Sequence, residues 1–289
     1  MSFIQRKVKI DFNINEDQFS NGTNTLSVEG LRCIASINNI NGYSQGELSL
    51  RIYGMPIADM NRLTNLGKLY MASRNYQVTV SAGDDVSGLT TIFTGTIYQA
   101  RIIYDQPNVC LEVESTAAFF QKLTPGNPFS AKGSVKLSDA VRSMLPNGYT
   151  LVDNQNVTAV INNPYYSDSG IQQIKQICAD AGINCDIRNN TVYIWPAGGS
   201  IDNNPVSVSP ENGLIAYPTY QPNGITIETE FNPNIVNGKK INLKSDAVGT
   251  TGEWIAVVVN HQVSSELPGG PWFTQAIMIP PEVSLYNGL

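Results

Sequence analysis

The chain has 289 residues, enough for about two domains and for a sizeable core that needs no disulfide or metal to support it. Charged residues are 15% of the total, while 30 asparagines, 24 glycines and 16 prolines give a turn-rich, mostly uncharged polar profile; this excludes a helical bundle rich in Glu, Lys, Leu and Ala. Eighteen basic against 24 acidic residues, net −6, excludes the broad positive footprint that neutralises phosphates in non-specific nucleic-acid binding.

The first half alternates with period two. Residues 6–12, RKVKIDF, read as a strand. Residues 26–40 alternate with a break at Gly30, and 47–54 places Leu48, Leu50 and Ile52 on one face. A short helix is expected after Pro56, with Asp59 near its start and Ile57, Met60 and Leu63 at helical spacing. Strands follow at 75–83, 90–104 and 108–115, with turns at 83–88 and 105–108. Successive antiparallel strands on short turns favour a small barrel or closed sandwich.

The pattern changes after Phe120. A linker with two prolines spans 123–130, and a helix is expected over 135–145, ended by Pro146. A short strand at 157–161 precedes the best helix of the chain, 168–182. Ser169 can cap it, Ile171, Ile174, Ile177 and Cys178 form its apolar stripe, and Gly182 ends it. Residues 183–196 read as a hairpin turning at Asn189–Asn190, where asparagine tolerates the positive φ of a tight turn. Further strands are expected at 224–233, 239–245, 253–266 and 272–279, with a turn at 234–238. The organisation expected is a β region over 1–122, a small α+β insert over 130–197, a second β region over 205–280 and a tail over 281–289.

Enzyme constellations are missing from the sequence. There is no phosphate-binding Gly-rich loop followed by Lys-Ser/Thr and no G-x-S-x-G turn. The single histidine, His261, excludes the common two- and three-histidine zinc sites. Alternation places it beside Ile255, Val257, Val259 and Val263 on an apolar strand face, the setting of a structural rather than a catalytic imidazole. The i, i+2 pairs Glu112/Glu114 and Glu228/Glu230 each share a sheet face. They suit the solvated or subunit-facing side of a strand better than the paired carboxylates of a glycosidase. Asp84–Asp85 lacks the ligand count of a calcium loop. Hence no catalytic residue, cofactor or metal is expected.

The four cysteines, Cys33, Cys110, Cys178 and Cys185, have no metal-ligand spacing and read as buried thiols. Cys178 and Cys185 can meet across the helix–strand turn, although a reducing cytoplasm disfavours a stable bridge. The N-terminus lacks the pattern of a signal peptide, and no run of 18 apolar residues is present. Synthesis in a cytoplasm and no membrane-spanning helix are therefore expected.

Trp254, Trp272 and Phe273 sit at strand ends, suited either to a core or to a subunit interface. Together with His261 they belong to an ordered pattern: Asn232–Pro233, Ile235, Gly238, the Lys239–Leu243 strand, Trp254, Val257–Val259, His261, the Pro268–Gly270 turn and Trp272–Thr274. This order resembles the closing barrel of phage tail baseplate hub proteins. The first β region resembles their first barrel, and the middle segment their insertion.

The resemblance implies a mainly β fold, with two tail-tube-like antiparallel barrels flanking the α+β domain. It also implies a homotrimer. Two barrels per copy then make a pseudo-sixfold ring joining a sixfold tail tube, or its initiator, to a threefold central spike around a channel. Other baseplate proteins are implied partners, the virion tail is the implied location, and DNA passes the channel without specific binding. The hub portion of type VI secretion spike proteins is similar but continues into a spike; here the spike is expected to be a separate protein. Trp254, His261, Trp272 and Phe273 are the candidate interface residues. The competing readings are a cell-wall-degrading tail enzyme using a Glu pair and a glycan-binding tail module.

Overall fold

A computed structural model describes residues 5–15, 17–40, 45–64, 74–105 and 107–281. The expected tail therefore lies, beyond residue 281, outside the described residues, as does the end of the segment following the first helix. The chain folds into two compact units. The first comprises Met1–Asn38, Gly46–Phe120 and His261–Phe273; the second comprises Asn39–Gln45, Gln121–Asn260 and Thr274–Leu289.

In the first unit the strands are β1 (Arg6–Asn13), β2 (Thr25–Glu29), β3 (Cys33–Ile40), β4 (Glu47–Tyr53), β5 (Gln77–Asp84), β6 (Gly88–Asp105) and β7 (Asn108–Thr116). Helix α1 (Ile57–Leu63) and the short α2 (Phe119–Leu123) accompany them. Period-two alternation makes one face apolar. Val8, Ile10 and Phe12 lie opposite Ala82, Val80 and Val78 across β1–β5. Leu50 and Ile52 lie opposite Val113 and Leu111 across β4–β7. All of these side chains are buried.

The same alternation turns the other face polar, so that Arg51, Glu112 and Arg101 form one row across β4, β7 and β6. Helix α1 has only two turns, and two of its three expected apolar positions reach the core. Met60 and Leu63 are buried, but Ile57 at its first position stays exposed. The α1 register is fixed instead by Asp59. Its buried carboxylate accepts the Ser20 backbone N–H at 2.8 Å and the Ser20 hydroxyl at 2.7 Å.

The second unit begins with small elements. These are β8 (Phe129–Ser130), β9 (Ser134–Lys136), α3 (Leu137–Met144), β10 (Thr150–Val152), β11 (Val160–Asn162), β12 (Tyr165–Tyr166), α4 (Gly170–Asp180), β13 (Ile183–Arg188) and β14 (Thr191–Pro196). Helix α3 stops at Leu145, ahead of Pro146. Ser169 caps α4 by accepting the Gln172 N–H, and Ile171, Ile174, Ile177 and Cys178 are fully buried, as their spacing predicts. Asn189 and Asn190 both take positive φ in the β13–β14 turn. That hairpin and β10 form a three-stranded sheet, onto which α4 packs through β13.

The unit continues with β15 (Val206–Val208), β16 (Thr219–Gln221), β17 (Gly224–Glu230) and β18 (Lys240–Leu243). The last strands, β19 (Gly252–Ser265) and β20 (Trp272–Ile279), each cross from one unit to the other along their own length. In the second unit the order is β16-β17-β20-β19, with β18 on β19 and β15 parallel to β18. Its main core gathers Val208, Ile225, Ile227, Ile235, Ile241, Leu243, Ala256, Val259, Ala276 and Met278. Ile255, Val257 and Ile279 form a second cluster. Strict alternation expected Ile255, Val257 and Val259 on one face. The burial pattern keeps all three inside, and the clusters place Val259 with the main core and the other two with the second.

The chain is thus mainly β with few helices, as composition requires. Among the described residues the strand order is an open path that ends at β2 in the first unit and at β16 in the second.

Candidate assembly surface

The hairpin joining β19 to β20 is held by its own backbone and hydroxyls. The Ser264 hydroxyl donates to the Pro271 carbonyl at 3.0 Å, and the Gly270 N–H to the Leu267 carbonyl at 3.0 Å. Gly269 takes a φ of +69° that the Pro-Gly-Gly-Pro tip requires. On β19 the Ser265 hydroxyl donates to the Leu31 carbonyl and lies 3.2 Å from the buried Cys33 thiol. The tip is therefore fixed on the β3 side of the first unit.

The four residues singled out from the sequence fall in different settings. His261 is buried. Trp272 and Phe273, just past the tip, are half-buried, and the Arg6 guanidinium stacks over the Trp272 ring at 5.5 Å. These three belong to the first unit. Trp254 belongs to the second, where its ring packs on the main core and its indole N–H donates to the Thr250 carbonyl at 2.8 Å.

A further surface carries no warning in the sequence. The β16–β17 hairpin runs Thr219, Tyr220 and Gln221 against Thr226, Ile225 and Gly224. Its outer strand exposes Tyr220 (66%), the segment leading into it exposes Tyr217 (69%) and Ile215, and Val248 (87%) joins Tyr220, whose hydroxyl donates to the Val248 carbonyl. Isolated exposed apolar residues are ordinary, but a cluster on a terminal strand marks a contact surface. These residues alternate poorly around Pro218, which hides the strand from periodicity.

Three of the carboxylates singled out from the sequence, Glu112, Asp84 and Asp85, are partnered. Glu112 is nearly enclosed, its side chain 6% exposed, and both of its oxygens are clamped. One accepts from Arg51 at 2.8–2.9 Å, the other from Arg101. Burial pushes this carboxyl up, but the hydrogen bonds and charges of the two arginines outweigh burial and hold it below the usual range. Asp84 accepts the Ser87 and Val86 N–H groups, which hold its carboxyl low, and Asp85 pairs with Lys7. Among the described residues no three His, Cys, Asp or Glu side chains group to hold a metal, and no helix is long and apolar enough to cross a membrane.

Among the described residues the main strands form one 13-stranded sheet, with a small α/β layer inserted and few helices, and solved structures share this fold. A tail protein from Neisseria meningitidis MC58 superposes with a TM-score of 0.65 at 9% identity, over 96% of this chain and 98% of that one. The 43 kDa tail protein of prophage MuSo2 from Shewanella oneidensis gives 0.62 at 8% identity, over 95% and 97%. An E. coli component of the type VI secretion system, described as structurally similar to T4 bacteriophage tail proteins, gives 0.60 at 8% identity, over 96% and 78%. At these identities the likeness speaks for the fold. No curated protein sequence matches the chain.

The sequence profile of the baseplate hub gp41 family matches residues 60–268, and the chain belongs to that family. It is a structural baseplate hub protein and a component of the virion tail.

Proposed function

We propose that the protein works as a homotrimer, each copy supplying two tube-like barrels, 1–122 and 205–280, on either side of the 130–197 insert. Three copies then close a pseudo-sixfold ring that adapts a sixfold tail tube, or its initiator, to a threefold central spike and leaves a channel for DNA. The hub family match across residues 60–268 carries this reading. The likeness to tail proteins and to a type VI secretion component supports it. So do the two ends of the strand path among the described residues, β2 in one unit and β16 in the other. Open edges are hazards unless something covers them, and a head-to-tail ring covers unlike edges with each other.

Within this reading Trp272 and Phe273 meet a neighbouring copy or the tube, Trp254 and His261 support the strands that present them, and the Tyr217–Tyr220 edge is covered on assembly. Spike, tube and other baseplate proteins are the partners. The net charge of −6 lets DNA pass without tight binding. Native mass spectrometry of the chain mixed with its neighbouring tail proteins tests the stoichiometry. Complexes containing three copies support the proposal; complexes holding only one or two copies overturn it.

A further inference from the structure

Helix α4 and strand β13 bring together a group of reactive side chains that the hub role does not use. Cys178 lies on the last turn of α4 and is fully buried. The chain then reverses through Gly182, whose φ is +64° and whose N–H donates to the Ala179 carbonyl at 3.0 Å. It re-enters as β13, where Cys185 is also buried. The two thiols are in hydrogen-bonding contact, and both are free. That contact, with burial added, holds the Cys178 thiol well above its ordinary range, so in the closed fold it stays protonated.

Lys175 precedes Cys178 by three residues and therefore shares its helix face. It too is buried, and its ammonium interacts with Cys185 and Asp186. Burial pulls Lys175 down to about 8, against the opposing pull of those two groups.

We propose that Cys178 and Cys185 are a dithiol pair that closes to an intrachain disulfide when the protein meets an oxidising small-molecule disulfide. On opening, Cys185, the less deeply buried of the two, loses its proton to water and attacks one sulfur of the oxidant, whose S–S bond breaks to release one thiolate. Cys178 passes its proton to that leaving group and attacks the Cys185 sulfur, expelling a second thiolate that takes up the proton Cys185 gave to water. Two protein thiols and one oxidant disulfide thus become one protein disulfide and two small thiols. The bridge pins the end of α4 to β13. Because both sulfurs are shielded, the reaction proceeds through openings of α4 and is slow in the folded protein.

The test uses the full chain incubated with glutathione disulfide, then denatured, labelled with N-ethylmaleimide and analysed by mass spectrometry. The expected result is loss of two of the four labelling sites, a linked peptide joining Cys178 to Cys185, and a higher Tm that dithiothreitol reverses. The variant Cys178→Ser should instead stop at a mixed disulfide on Cys185. Four labelled thiols after oxidation, or a linked peptide containing Cys33 or Cys110 in place of this pair, would overturn the proposal; both readings come from the wild-type chain and do not depend on the variant folding.

Discussion

Replacing Gly238 with alanine should damage the second unit out of proportion to one methyl group. The residue takes a φ of +77° in the turn before β18, a conformation that costs an alanine about 1–2 kcal/mol. An added Cβ would also lie 2.6 Å from Cζ2 of Trp195, which is itself 1% exposed and cannot swing away. The backbone is pinned as well: the Gly238 N–H donates to the Ala256 carbonyl at 2.8 Å, and its carbonyl accepts from Ile201 at 2.7 Å. Overpacking of this kind adds about 1–3 kcal/mol, for a sum of about 2–5 kcal/mol. At about 2–4 °C per kcal/mol in a unit of this size, thermal denaturation should shift down by several degrees. Gly249→Ala is the control, because its φ is +72° but nothing lies within 4 Å of the new Cβ; it should show only the conformational part. Adding Trp195→Phe to Gly238→Ala should cost less than the two single changes combined, since the smaller ring relieves the clash. If Gly238→Ala melts no lower than Gly249→Ala, the packing argument is wrong.

Acid should loosen the first unit through Glu112. Its folded carboxyl is held below the ordinary range, so its contribution is present above the unfolded pKa and is lost as pH falls through the folded value. Glu112→Gln should lower stability near neutral pH by about 1–2 kcal/mol, the arginines being half in water, and should flatten the acid limb of a stability-versus-pH curve; an unchanged acid limb would count against the clamp. Asp59→Ala removes the acceptor of two Ser20 hydrogen bonds and should cost about 2–3 kcal/mol in urea denaturation, whereas an effect below about 0.5 kcal/mol would show that the latch is idle. Trp272→Ala with Phe273→Ala should leave the folded chain intact by circular dichroism yet impair tail completion in a complementation assay. Full completion would remove both residues from the interface.

Much of the fold was legible because short-range rules set it. Leu48, Leu50 and Ile52 alternate and are buried together, and Asn189–Asn190 supplies the positive φ of its turn. Ser169 caps the helix whose stripe runs from Ile171 to Cys178. What stayed hidden depends on distant partners. Glu112 reads as half of a solvated pair until β4 and β6 bring Arg51 and Arg101 to either side of it. Ile57 fits a helical stripe, but a two-turn helix does not present its first residue to the core. The β16 edge is three residues long and follows a proline, too short for any period to register. The candidate interface residues Trp254, His261, Trp272 and Phe273 came from an ordered family pattern rather than from any local rule.

The central claim is a trimeric ring adapting tube to spike, and electron microscopy of the purified protein with its neighbouring tail proteins tests it most directly. Rings with threefold symmetry and a central channel are expected. Particles that remain single copies with no ring, alone and with those partners, would contradict it.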